Sequence, residues 1–186
     1  MNTERSDARI QAWATRTNRL KRVTLVPERT IAAPPDKIFP LLCPTREYDW
    51  IATWRGELLH SESGGAEHDA IFRTRQAGVE EIWICTRYEP NREIHYVRFA
   101  KGLLTKLEIT LIDLGDGTTR VCWLLTASAL VEEMTGAVAD LAPGGSRIHQ
   151  LERVLDELEH YLETGEMRGE PVERHSPDVE SATIRG

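Results

Sequence analysis

Ile148, Leu151, Leu155, Leu158 and Leu162 recur at alternating gaps of three and four residues. On a 3.6-residue helix running from Ser146 to Thr164 this spacing gathers them into one apolar stripe. His149, Glu152, Arg153, Asp156, Glu157, Glu159 and Glu163 fall on the opposite side, so the helix has one wet face and must lie across another layer. Ser146 suits the N-cap and Gly165 the residue just past the C-terminus. The layer beneath has to come from the preceding chain.

That chain reads as strands. Val23 to Ile31 is rich in β-branched residues and stops at Ala32-Ala33-Pro34-Pro35. Asp36 to Leu42 then predicts a short helix kept short by Pro40 and Pro44, and Thr45 to Asp49 a second helical turn. Six further strands follow: Glu57–Ser61, Ala70–Arg75, Glu80–Tyr88, Glu93–Ala100, Leu103–Ile112 and Thr119–Ala127. Glycine, proline and asparagine turns separate them, such as Ser63-Gly64-Gly65 and Gly115-Asp116-Gly117. Hairpin after hairpin implies an antiparallel sheet. Alternation puts Ala70, Phe72 and Thr74 on its inner face, with Leu107, Ile109, Leu111, Val121, Trp123 and Leu125. Around Trp83 parity is divided, with Ile82, Ile84 and Tyr88 on one face and Trp83 and Cys85 on the other. Leu130 to Leu141 has helical spacing that Pro143-Gly144-Gly145 must interrupt.

The 186-residue chain therefore predicts an arm at 1–21, flexible or partly helical, one domain at 22–165 and a disordered polar tail at 166–186. The arm is basic and carries Trp13, which suits packing on its own domain or on a second copy as a homodimer. A transit peptide is the alternative. A net charge of -7 argues against nucleic acid as partner. No apolar run is long enough to insert stably in a membrane and the N-terminus lacks a secretory signal, so a cytoplasmic location is expected. Cys43, Cys85 and Cys122 are odd in number and widely spaced, which predicts buried thiols rather than a disulfide framework.

This order resembles the START-like superfamily, also called SRPBCC or polyketide cyclase-like, with its helix-grip fold. The resemblance is carried by Thr30-Ile31-Ala32-Ala33-Pro34-Pro35-Asp36-Lys37-Ile38-Phe39, by the hairpin segment Trp83-Ile84-Cys85-Thr86-Arg87-Tyr88-Glu89-Pro90, and by the closing helix with Tyr161-Leu162-Glu163-Thr164-Gly165. It covers roughly Arg22 to Gly165 and implies an α+β fold. A curved antiparallel β-sheet would wrap around the long C-terminal α-helix, with two short helices after the first strand. It also implies a cavity between sheet and helix used for lipids, polyketides or other hydrophobic ligands. It implies no single activity, because members include carriers, cyclases, hydrolase-like enzymes and co-chaperone domains.

Candidate site residues follow from that cavity. Glu47, beside Trp50 and Trp54, is the carboxylate that desolvation could turn into a general base, and it is the candidate catalytic residue. Trp50, Trp54, Phe72, Tyr96, Arg98, Trp123, Leu151 and Leu155 are the expected ligand contacts, aromatic area with a few polar handles. The six histidines lack H-E-x-x-H or facial-triad spacing, and neither a Walker nor a dinucleotide motif is present, so no metal and no cofactor are expected. The leading reading is a binder of a small hydrophobic molecule. One rival is a cofactor-independent cyclase- or hydrolase-like enzyme using a cavity carboxylate. The other is a protein-interaction module with a filled core.

Overall fold

The computed structural model describes residues 20–76, 78–143, 145 and 149–169. Trp13 and most of the arm, the Ser146 cap and the tail beyond Gly169 lie outside the described residues.

Strand β1 (Arg22–Leu25) and strand β2 (Glu28–Ile31) both pair antiparallel with β8 (Thr119–Ala129). The single strand expected at Val23 to Ile31 is broken here because Pro27 has no N–H to give the ladder. Its carbonyl still accepts the Trp123 N–H at 3.0 Å. Helix α1 (Pro35–Ile38) begins with proline in its first turn, where no donor is needed, and passes into a 3-10 turn at Phe39–Leu42. Ile38, Phe39, Leu41 and Leu42 are buried. A second 3-10 turn, Glu47–Asp49, follows.

Strands β3 (Gly56–His60), β4 (Ile71–Gln76), β5 (Val79–Glu89), β6 (Glu93–Ala100) and β7 (Leu103–Asp113) complete a curved antiparallel sheet in the order β1-β8-β7-β6-β5-β4-β3. The expected inner set holds, with Phe72, Thr74, Ile109, Val121, Trp123 and Leu125 all buried. The divided parity of β5 has a physical cause. Cys85 pairs with Tyr96 and Arg87 with His95, so Thr86 is an extra, bulged residue. Trp83 and Cys85 face inward before the bulge; after it Tyr88 faces inward, opposite Ile94, its ring set edge-on against Phe39 at 5.4 Å. Tyr88 therefore joins the side opposite to Ile84, which is exposed.

The connection after β8 forms a 3-10 turn (Glu132–Met134) and helix α2 (Thr135–Ala139), whose Val138 is fully buried. Helix α3 (Gln150–Thr164) lays Leu155 and Leu158 into the core, with Leu151 and Leu162 half-buried. Val154 and Tyr161 also pack on the core, so the buried stripe is wider than the leucine spacing alone implies. Arg29 Nη1 on β2 donates to Asp156 Oδ1 at 2.5 Å and Glu159 Oε2 at 2.8 Å, which fastens the outer flank of α3 to the sheet. Gly165, at φ +73°, ends the helix and donates its N–H to the Tyr161 carbonyl.

Beyond α3, Arg168 forms a parallel bridge with Ile51. One expectation is corrected. Of the three free cysteines only Cys85 is buried. Cys122 sits opposite Glu28 on the outer face of β8, and Cys43 accepts the Ala66 N–H at 3.0 Å. No helix among the described residues is long and apolar enough to cross a membrane.

Candidate ligand-binding site

The inner face of the sheet can be read in rows from its register. One row runs Leu58, Phe72, Trp83, Arg98, Thr105, Ala127, Val23; the next runs Cys85, Tyr96, Leu107, Leu125, Leu25. Polar residues gather in one corner, where Thr74 and Glu81 on adjacent strands sit one pair along from Trp83 and Arg98.

Arg98 is the hub of that corner. Its guanidinium lies over the Trp83 ring at 5.0 Å and its Nη1 donates to Glu81 Oε2 at 3.0 Å. Among the described residues this is the guanidinium's only hydrogen bond, and the side chain is partly exposed, so Nε and Nη2 keep donors for water or a ligand. The Trp83 indole N–H donates to Thr74 Oγ1 at 2.9 Å, which fixes the shelf under Arg98. Trp54, Trp83 and Tyr96 form an edge-to-face chain with centroids 6.1 and 5.9 Å apart, and Phe72 abuts Tyr96 at 6.4 Å.

Glu47 approaches this corner from the 3-10 turn. Its Oε2 is shielded from solvent and has no hydrogen-bond partner among the described residues. Burial pushes its carboxyl up to about 8, against the pull of the Arg98 charge. At neutral pH Glu47 is thus an uncharged acid able to donate its proton. Its neighbour Asp49 behaves differently, pairing at the surface with Arg46 at 2.6 Å.

Why the chain delivers Glu47 inward is visible in its flanks. The prolines that stop the first helical turn leave the carbonyls of Leu41, Leu42 and Pro44 without helical donors. Three aromatic donors satisfy them: Trp50 Nε1 to Leu41 at 2.9 Å, Tyr96 OH to Leu42 at 3.0 Å, and Trp54 Nε1 to Pro44 at 2.8 Å. The loop is pinned on both sides of Glu47.

Of the residues expected to touch a ligand, Glu47, Tyr96, Arg98 and Phe72 are brought together. Trp50 and Trp54 have their polar atoms taken up by the loop. Trp123 is inward on β8, two strands away, and its Nε1 is buried without a partner among the described residues. Leu155 is fully buried on α3, while Leu151 lies with Leu25, Val26, Pro27 and Glu152 along a groove of about 170 Å³ at the β1–β2 break. Sequence reasoning passed over Glu81 and Thr135, and placed Thr74 on the inner face without a role in the site. Glu81 has a signal, since it shares the parity of Trp83 and Cys85. Thr135 Oγ1, a third buried and unpartnered polar atom, has none that spacing could reveal.

No family model and no curated protein matches the sequence. Solved structures do. An uncharacterised protein from Rhizobium leguminosarum aligns at 20% identity with a TM-score of 0.60, over 77% of this chain and 96% of that one. Norcoclaurine synthase from Thalictrum flavum, in complex with dopamine and hydroxybenzaldehyde, aligns at 13% identity and 0.57, over 77% and 87%. Ara h 8.0201 aligns at 15% identity and 0.55, over 77% and 99%. At these identities the likeness is one of fold, and the fold is the helix grip.

Proposed function

We propose that this chain, which has the helix-grip fold of the START-like superfamily, binds a small hydrophobic ligand between its sheet and α3. The observation that carries the reading is Glu47 Oε2, a carboxyl oxygen buried beside Arg98 with no partner among the described residues. A buried polar atom left unpaired costs about 1–3 kcal/mol, a cost that a bound molecule would offset. The aromatic chain from Trp54 to Phe72 supplies contact area, and Arg98 and Glu47 orient the polar end. Norcoclaurine synthase, of the same fold, was solved holding two small aromatic molecules, which is in keeping with this use of the architecture.

The test is the uncharged dye N-phenyl-1-naphthylamine, whose emission rises in apolar surroundings. One dye per chain is expected. Leu107→Trp, which adds bulk above the middle of β7, should abolish binding while the protein stays folded. Absence of binding, or a folded variant with unchanged affinity, contradicts the proposal.

A second reading is favoured by the same carboxyl. An acid that titrates near 8 beside a guanidinium is poised for general acid–base chemistry without a cofactor. In that case Glu47→Gln retains dye binding and loses turnover of whatever compound is found in the site.

A further inference from the structure

We infer that residues 1–19 of this chain seat Trp13 on the outer face of the sheet, over Ile82, Ile84, Val97 and Phe99. That face is turned away from α3, so the inference stands apart from the ligand-binding reading. An antiparallel sheet covered on one side carries polar residues on the other. Strand β7 keeps that rule, with Lys106, Glu108 and Thr110 outward. Strands β5 and β6 break it. The register sets two outer rows side by side, Ile82, Phe99 and Leu104 in one and Ile71, Ile84 and Val97 in the next. Phe99 is 49% exposed and Ile84 39%, with the others half-buried. Together they leave on the order of 300 Å² of contiguous apolar surface, the size at which a patch on a monomer is often functional.

The size of the patch argues for an occupant from the same chain. A stable dimer buries roughly 800 Å² on each partner, well beyond what this patch offers. A tethered segment needs less, because its attachment holds it at an effective concentration on the order of millimolar.

The described chain also begins beside the patch. Arg22, where β1 starts, stands opposite Ser128 and donates its Nε to Ser128 Oγ at 2.9 Å, and Ser128 stands opposite Leu104 in the Phe99 row. Arg22 and Phe99 are thus three strand spacings apart, roughly 14 Å. Trp13 lies nine residues before Arg22, a length of about 14 Å as a helix and about 30 Å extended. Either form reaches. Of residues 1–19, only Met1, Ile10 and Trp13 are apolar and larger than alanine. The indole alone is long enough to lie across both rows, which are roughly 7 Å apart.

The experiment uses the full chain and two readouts. Methyl NMR compares it with Trp13→Ala, where loss of the indole ring current should shift the Ile84 and Val97 signals and leave the inward Ile109 signal in place. Acrylamide quenching reads tryptophan accessibility. The other four tryptophans are at most 8% exposed, so a docked Trp13 leaves the emission poorly quenched. Phe99→Lys or Ile84→Lys, each on an exposed position, should make one tryptophan of the five quenchable, an effect that Trp13→Ala removes. A cooperative thermal transition checks that each variant is folded. Unmoved Ile84 and Val97 signals, or a Trp13 already open to acrylamide in the unaltered chain, overturn the inference. So does protection that survives both lysine substitutions, which puts Trp13 elsewhere, or protection lost on dilution, which gives it to a second copy.

Discussion

Glu47 is the residue on which the chemistry turns, and its ionisation makes the fold pH-sensitive in a stated direction. Its carboxyl is raised from the ordinary 4.5 to about 8 in the folded chain. Its stabilising effect is therefore complete below pH 4.5 and is lost as pH rises through 8. Urea unfolding between pH 5 and 8 should show stability falling, with this group contributing a slope of up to about 1.4 kcal/mol per pH unit. Glu47→Gln should remove that slope, and an unchanged slope in the variant would mean Glu47 is not the titrating group. Glu81 acts on Glu47 through Arg98. Replacing Glu81 by Gln leaves the guanidinium unbalanced, so the Glu47 midpoint should fall toward the usual carboxylate range. Carbon NMR of the Glu47 carboxyl reads this directly; a midpoint that stays put or rises would contradict the geometry. None of this coupling is legible in the sequence, because Glu81 and Arg98 lie 17 positions apart and meet only through the register of β5 and β6.

At the scale of the element, local patterns carried further than local breaks. The period-2 alternation of β4, β7 and β8 identifies their inner faces, and the leucine spacing of α3 identifies Leu155 and Leu158 as buried. The bulge at Thr86 is set by its pairing partners more than by local composition. Pro27 was visible as a residue, but not that both halves would keep β8 as their neighbour. The pairing of Arg168 with Ile51 is likewise a long-range contact with no local signature. Two ways of holding α3 to the sheet differ in magnitude. Leu158 is fully buried, so Leu158→Ala should cost about 2–5 kcal/mol. Arg29 pairs with two partly exposed carboxylates, and Arg29→Ala should cost no more than about 1 kcal/mol in moderate salt. Thermal or urea unfolding of the two variants decides it, and a larger loss for Arg29→Ala would show that α3 is held by charge rather than burial.

At the scale of the molecule, an eight-stranded sheet, a pinned loop and one helix flank a face whose buried polar atoms do not all find partners among the described residues. Native proteins leave a few such atoms per hundred residues, so what bears on a ligand is where these groups sit rather than how many there are. Glu47 on the loop, Trp123 on β8 and Thr135 on α2 come from three separate parts of the chain. A ligand enclosed between the sheet and α3 would meet such atoms, and native mass spectrometry of the purified full chain, followed by denaturing extraction, would detect it. The expected result is a mass above that of the bare chain and an extracted, mostly apolar small molecule. A chain that is isolated bare and stays bare when offered N-phenyl-1-naphthylamine would overturn the ligand-binding reading and favour a filled core serving protein interaction.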